Sequence, residues 1–100
     1  MKKVLVVVLL IVAMFSAAVS AQVKPIKIGL TTVLTGDRSL EGEYAINAAK
    51  IIQQEINDAG GVLGRPIEIV VEDALGTDVG AVNAYRKLAS DPEIVAIIGT

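Results

Sequence analysis

Glu41 carries the most pointed chemistry in this chain. It stands in Thr35-Gly36-Asp37-Arg38-Ser39-Leu40-Glu41-Gly42, between an apolar run and a long helical pattern. A carboxylate in the first turn of a helix, above the carboxyl end of a strand, can meet an ammonium or hydroxyl group of a ligand. The plainer reading is a surface Glu favoured by the helix dipole. Ser39 has the same two readings, as the N-cap of that helix or as a ligand contact. Glu72-Asp73 is the other carboxylate pair. Adjacent residues of a strand point to opposite faces, so the two cannot act together on one substrate atom. Asp73 is expected to hold loop N–H groups at the end of its strand.

The remaining composition excludes more than it offers. There is no His and no Cys, hence no His-based catalysis, no zinc site of the usual kind and no disulfide framework. The crevice loop has no nucleophile–base pair, so the expectation is a protein that is not an enzyme, with no cofactor and no metal. The loop is neither G-x-G-x-x-G nor G-x-x-x-x-G-K-[ST], and Glu41 and Glu43 stand where phosphates need bare N–H groups. Gly60-Gly61-Val62-Leu63-Gly64-Arg65 follows a helix and precedes a strand. That is the wrong end of a parallel sheet for a phosphate site, and a turn is expected. One Phe and two Tyr cannot build a base-stacking platform; Tyr44 and Tyr85 read as packing residues.

These residues need positioning elements, and the periodicity supplies them. Ile26–Leu34 reads as a strand covered on both faces, followed by the loop Thr35–Glu41. From Leu40 to Asn57 the period is helical, with Ala45, Ala48, Ala49, Ile52 and Ile56 on the inner face and Asn47, Lys50, Gln54 and Asp58 mostly opposite. Ala59-Gly60-Gly61 ends the helix. Ile67–Glu72 is a second strand and Asp73–Asp78 a loop. Thr77 or Asp78 caps a second helix, Val79–Ser90, whose inner face is Ala81, Val82, Tyr85, Leu88 and Ala89. Ile94–Ile98 is a third strand. The order β-α-β-α-β with short connections predicts an α/β fold, a parallel sheet with right-handed crossovers and helices on its faces. In such sheets ligands bind outside the carboxyl ends of the strands, which puts the loop Thr35–Glu41 at the site.

The N-terminus has another purpose. Met1-Lys2-Lys3 is a positive region, Val4–Phe15 is an unbroken apolar run of twelve residues, and Val19-Ser20-Ala21 has the small residues of a processing site. This is the pattern of a secretory signal, with cleavage expected near Ala21 and the mature chain starting at Gln22. A membrane span needs about 20 apolar residues, more than this run provides. No Cys follows it, so attachment through a lipidated cysteine is excluded. Without Lys2 and Lys3, seven basic residues stand against eleven acidic, a net charge of −4. That does not suggest a nucleic-acid partner.

The run IKIGL…LTG…GEYAINAAKIIQQEINDAGGVLGRPIEIVVEDA…AVNAYRKLASDPEIVAIIGT resembles the type I periplasmic binding proteins of branched-chain amino-acid ABC transporters, the leucine/isoleucine/valine-binding kind. The resemblance covers nearly all of Ile26–Thr100. Its most specific part is Glu55–Pro66, EINDAGGVLGRP; Val95-Ala96-Ile97-Ile98-Gly99 is also typical. It implies two α/β lobes closing on a small ligand, a receptor that hands its load to a membrane permease. It also implies a ligand carboxylate held by hydroxyls and N–H groups just after the third strand, where Thr100 is the candidate. Glu41 occupies a position that is frequently aromatic in close relatives, which points away from a simple branched aliphatic ligand and toward a polar or cationic one. Val33 replaces a common Pro and Ala48 a frequent Gly. The loop Leu75-Gly76-Thr77-Asp78 lacks the usual Asp-Pro or Asn-Pro and is about one residue longer.

The resulting expectation is an exported solute-binding receptor of an ABC importer, periplasmic, taking an amino acid or similar small polar solute, with Ser39, Glu41 and Thr100 as ligand-binding candidates. The alternatives are a sensory domain of the same fold feeding a signalling partner, and an exported α/β enzyme. Residues 22–100 read as the N-terminal part of a first lobe. A sheet that stops at its third strand leaves open edges, so this segment by itself is expected to fold marginally.

Overall fold

The computed structural model describes residues 1–18 and 23–99, with side chains placed for 1–12 and 23–99. The elements are α1 (Lys2–Ala18), β1 (Ile26–Thr32), α2 (Ser39–Asp58), β2 (Ile67–Asp73), α3 (Asp78–Ala89) and β3 (Ile94–Gly99). Helix α1 leaves Val4 to Val12 bare. No described helix is long and apolar enough to cross a membrane. The expected cleavage point near Ala21, and Thr100, lie outside the described residues.

The three strands form one parallel sheet in the order β2-β1-β3. The chain steps from β1 outward to β2, then crosses back past β1 to β3. With right-handed crossovers that reversal sends α2 and α3 to opposite faces. This is the expected α/β architecture, and the expected strand positions hold. Strand β1 is shorter than its apolar run, ending at Thr32 while Val33 and Leu34 turn into the loop. The core is Leu30, Val33, Ile67, Ala74, Ala84 and Leu88. Leu88, only 2% exposed, packs onto β1 at Gly29, where an added Cβ would lie 2.9 Å from its Cδ1.

The helix faces differ from the periodic reading. In α2 the covered positions are Gly42, Ala45, Ile46, Ala49, Gln53, Ile56 and Asn57, while Ala48 and Ile52 face outward. In α3 they are Gly80, Ala81, Ala84 and Leu88; Val82, Tyr85 and Ala89 are exposed. Tyr44 is exposed too, so neither tyrosine is the packing residue expected. The reason is that each helix is seated by a glycine in its first turn, which sets the phase of the buried stripe.

One of the two sheet edges is partly covered, while β3 forms the other edge with no strand beyond it among the described residues. Along β2 the outer edge is occupied by side chains of α2. Asn57 Nδ2 donates to the Ile67 carbonyl at 2.9 Å and Asn57 Oδ1 accepts from the Ile67 N–H at 2.7 Å. Gln53 Oε1 accepts from the Ile69 N–H at 2.8 Å. Polar residues on the inner face of a helix thus satisfy backbone groups that would otherwise template another strand.

The Gly61–Arg65 segment is the expected turn. Val62 and Arg65 exchange both backbone bonds, 2.7 and 3.0 Å, around Leu63 and Gly64, whose φ values are +52° and +74°. Two left-handed residues in a two-residue loop form a type I′ hairpin. Arg65 reaches back from it to the carbonyls of Lys24 and Pro25 at 2.9 and 3.3 Å, fixing the entry to β1.

Candidate functional site: the crevice at the carboxyl ends of β1 and β2

Two chain reversals meet where β1 and β2 end, and small residues bring them together. Gly42 lets the first turn of α2 sit against the end of β1, since a Cβ there would stand 1.7 Å from the Val33 carbonyl oxygen. Gly80 does the same for α3, where a Cβ would stand 2.3 Å from the Ala74 carbonyl oxygen. Both helices therefore begin at the crevice, with their positive dipole ends near it.

Asp73 joins the two crevice loops. Its Oδ1 accepts from the N–H of Leu34 at 2.9 Å and from the N–H of Leu75 at 2.8 Å. Its Oδ2 accepts from the Thr35 hydroxyl at 3.0 Å. These bonds favour the ionised form, so the Leu34 N–H foremost, then the Leu75 N–H, hold the Asp73 carboxyl below the usual aspartate value. The expected loop-capping role is the observed one. Glu72 lies on the other face and pairs with Lys87 at 2.8 Å. The loop after β2 makes a tight turn through Leu75 and Gly76, φ +57° and +66°. Thr77 then caps α3 by accepting from the Gly80 N–H at 3.0 Å.

Ser39 is not the N-cap of α2. It is the first residue of the helix; Arg38 holds the cap position, and no side chain caps it. The chain enters through a turn in which the Ser39 N–H donates to the Gly36 carbonyl at 3.2 Å, which moves the helix start one residue earlier than the sequence pattern implied. Glu41 stands in the same first turn and is held by Arg38, with Nη2 at 2.6 Å and Nε at 3.2 and 3.3 Å from its carboxylate. That hydrogen-bonded contact, reinforced by charge, lowers the Glu41 carboxyl below its ordinary value and raises the Arg38 guanidinium. Sequence reading singled out Glu41 and passed over Arg38, although an Arg three residues before a Glu at a helix start is a pairing signal.

Between the loops lies a recess of about 180 Å³, lined among others by Val33, Arg38, Ala74, Gly76, Thr77 and Asp78. The buried Val33 and Ala74 line it together with the charged residues Arg38 and Asp78. Among the described residues no group of His, Cys, Asp or Glu is gathered to hold a metal ion.

Residues 25–100 match the family model described as periplasmic binding protein. The Leu/Ile/Val-binding protein BraC3 of Rhizobium johnstonii is 35% identical over 66 residues, covering 66% of this chain and 18% of that protein. Among solved structures, the branched-chain amino acid transporter substrate-binding protein LivJ of Streptococcus pneumoniae, in complex with isoleucine, superposes with a TM-score of 0.71 at 30% identity. The match covers 77% of this chain and 22% of that one. A fatty acid ABC transporter substrate-binding protein from Thermomonospora curvata gives 0.68 at 38% identity, covering 74% of this chain and 18% of that one. The chain thus spans about a fifth of the length of these relatives.

Proposed function

This chain belongs to the periplasmic binding protein family, and on that premise we propose that it forms the opening part of the first lobe of a solute-binding receptor. The observation that carries the reading is the parallel sheet in the order β2-β1-β3, whose switch point lies between the carboxyl ends of β1 and β3, where ligands of open α/β sheets bind, with the first turn of α2 directly after β1. The solute is an amino acid or a similar small polar molecule. The receptor is exported, with residues 1–21 as its signal segment, and it delivers its load to the permease of an ABC importer. The names of its relatives, which include Leu/Ile/Val-binding proteins and an isoleucine complex, support this.

Ser39, Glu41 and Thr100 remain the ligand-binding candidates of the proposal. Ser39 and Glu41 belong to the first turn of α2; the recess is lined by their neighbour Arg38 and by neither of them. The physical task is closure of a second lobe over this crevice, with the ligand shifting the open–closed equilibrium by contacting both lobes. A rigid first lobe suits that task, and Asp73 supplies rigidity by tying the loop after β1 to the loop after β2.

The test is titration calorimetry on the full-length polypeptide carrying this segment, as its host produces it, against a panel of amino acids, amides and small organic acids. One-to-one binding by a panel member supports the reading. A folded polypeptide that binds none of them overturns it.

A further inference from the structure

Helix α2 has two apolar faces, and the sheet uses one. Gly42, Ala49 and Gln53 turn toward the strands. Leu40, Tyr44 and Ile51 do not: they are 55%, 64% and 58% exposed. At about 3.6 residues per turn these three form a line on the far side of the helix, half a turn round from Gly42 and Ala49. A helix laid beside α2 on the same face of the sheet would cover its flanks. The line points directly away from the sheet, so only a body outside the α/β layers can cover it.

The charges beside the line say which body. Glu43 and Lys50 lie two turns apart on one flank of it, both exposed, and neither forms an ion pair among the described residues. Leu40, Tyr44, Asn47 and Ile51 follow the four-three-four spacing of a helix seam. Laid antiparallel on its own copy about a two-fold axis, the seam puts Leu40 opposite Ile51 of the second copy and Tyr44 opposite Asn47. In that same register Glu43 of each copy meets Lys50 of the other. Glu55 and Asp58 run past the second copy's Leu40, toward the positive end of its helix. One flank thus complements itself, as a two-fold interface requires.

We propose that the outward face of α2 is a homodimer interface, with Leu40, Tyr44 and Ile51 in its centre and two equivalent Glu43–Lys50 pairs across the axis. It gives the exposed Tyr44 a packing partner that the sheet does not supply. The helix has 20 residues and is about 30 Å long. A contact of that length lies at the small end of specific interfaces, and a dissociation constant on the order of 10 μM is expected. The inference does not depend on the receptor reading.

The experiment is sedimentation velocity on the full-length polypeptide carrying this segment, from about 1 to 100 μM, around the expected dissociation constant. The wild type should pass from monomer to dimer across that range. Lys50→Glu should raise the dissociation constant about tenfold, because it turns both pairs into like-charge contacts. Glu43→Lys should do the same, and the two exchanges together should restore the dimer. Ile51→Glu should stay monomeric throughout. All three positions are exposed, and an unchanged melting midpoint of the dilute monomer checks that the variants fold. A wild type that stays monomeric, a dimer indifferent to Ile51→Glu, or a double exchange no tighter than its single variants overturns the inference and leaves solute binding untouched.

Discussion

The carboxylate of Asp73 accepts the backbone N–H of Leu34 at 2.9 Å across 39 residues of chain. Through the same oxygen it also holds the N–H of Leu75. One side chain at the end of β2 therefore fixes the exits of both β1 and β2, which are the two loops that frame the recess.

Asp73→Ala is expected to loosen both loops together. Amide hydrogen exchange should show the Leu34 and Leu75 N–H groups protected in wild type and fast in the variant, while Ile69 stays slow. The melting midpoint should fall by about 5 °C, as expected for lost hydrogen bonds to a charged group. Protection of Leu34 that survives the substitution would contradict the role.

The pH dependence follows from the same bonds. The folded Asp73 carboxyl lies below its ordinary value, so its contribution is fully present above the ordinary aspartate range. It is lost as pH falls through the depressed folded value. Glu41 has the same sign. Crevice-loop protection should be flat from neutral pH down to the ordinary aspartate range and should decline only in stronger acid. A decline centred near neutrality would point to another group.

Gly42→Ala should cost about 3 kcal/mol or more, because the new Cβ meets backbone that cannot yield; it would stand 1.7 Å from the Val33 carbonyl oxygen. Gly36→Ala is the contrast. Nothing lies within 4 Å of its added Cβ, and only its φ of +85° opposes the change, so about 1 kcal/mol is expected. Denaturant melts of the two variants measure the difference.

Leu63→Asn should stabilise. Leu63 is 94% exposed and holds a left-handed φ of +52° before Gly64. Asn-Gly is the favoured pair for a type I′ hairpin, and relief of the strain is worth about 1 kcal/mol. A lower melting midpoint would contradict this.

Asn57→Ala should destabilise by about 2 kcal/mol, because it leaves a donor and an acceptor of β2 unpaired. Both groups belong to Ile67. Gln54→Ala, at an outward position of the same helix, should change stability by less than about 0.5 kcal/mol. Equal effects in the two variants would show that the β2 edge does not depend on α2.

How much of this was legible varied with the range of the interaction. The strands at Ile28, Ile69 and Ile97, the helices between them, the turn at Leu63-Gly64 and a cap at Thr77 or Asp78 are local matters of period, propensity and turn chemistry. So is the tendency of Asp73 to bond loop N–H groups. The family resemblance was legible for a similar reason, because EINDAGGVLGRP is a contiguous stretch. The phase of the helices was not. Whether Ala48 or Gln53 faces the sheet depends on how closely Gly42 lets α2 approach Val33, a contact between two elements. The closing of the β2 edge by Gln53 and Asn57 was hidden because polar residues on a helix read as solvent-facing until a strand edge lies beneath them.

The candidate site divides the same way. The sequence by itself determined that the loop after β1 holds the polar groups and that Glu41 stands in the first turn of its helix. Only the tertiary structure decided that Asp73 would reach across to Leu34, that Asp78 and Arg38 would line one recess, and that Glu41 would be spent on Arg38. Side-chain identity is written along the chain. Which charges neutralise one another depends on distances that exist only after the sheet has brought the ends of β1 and β2 together.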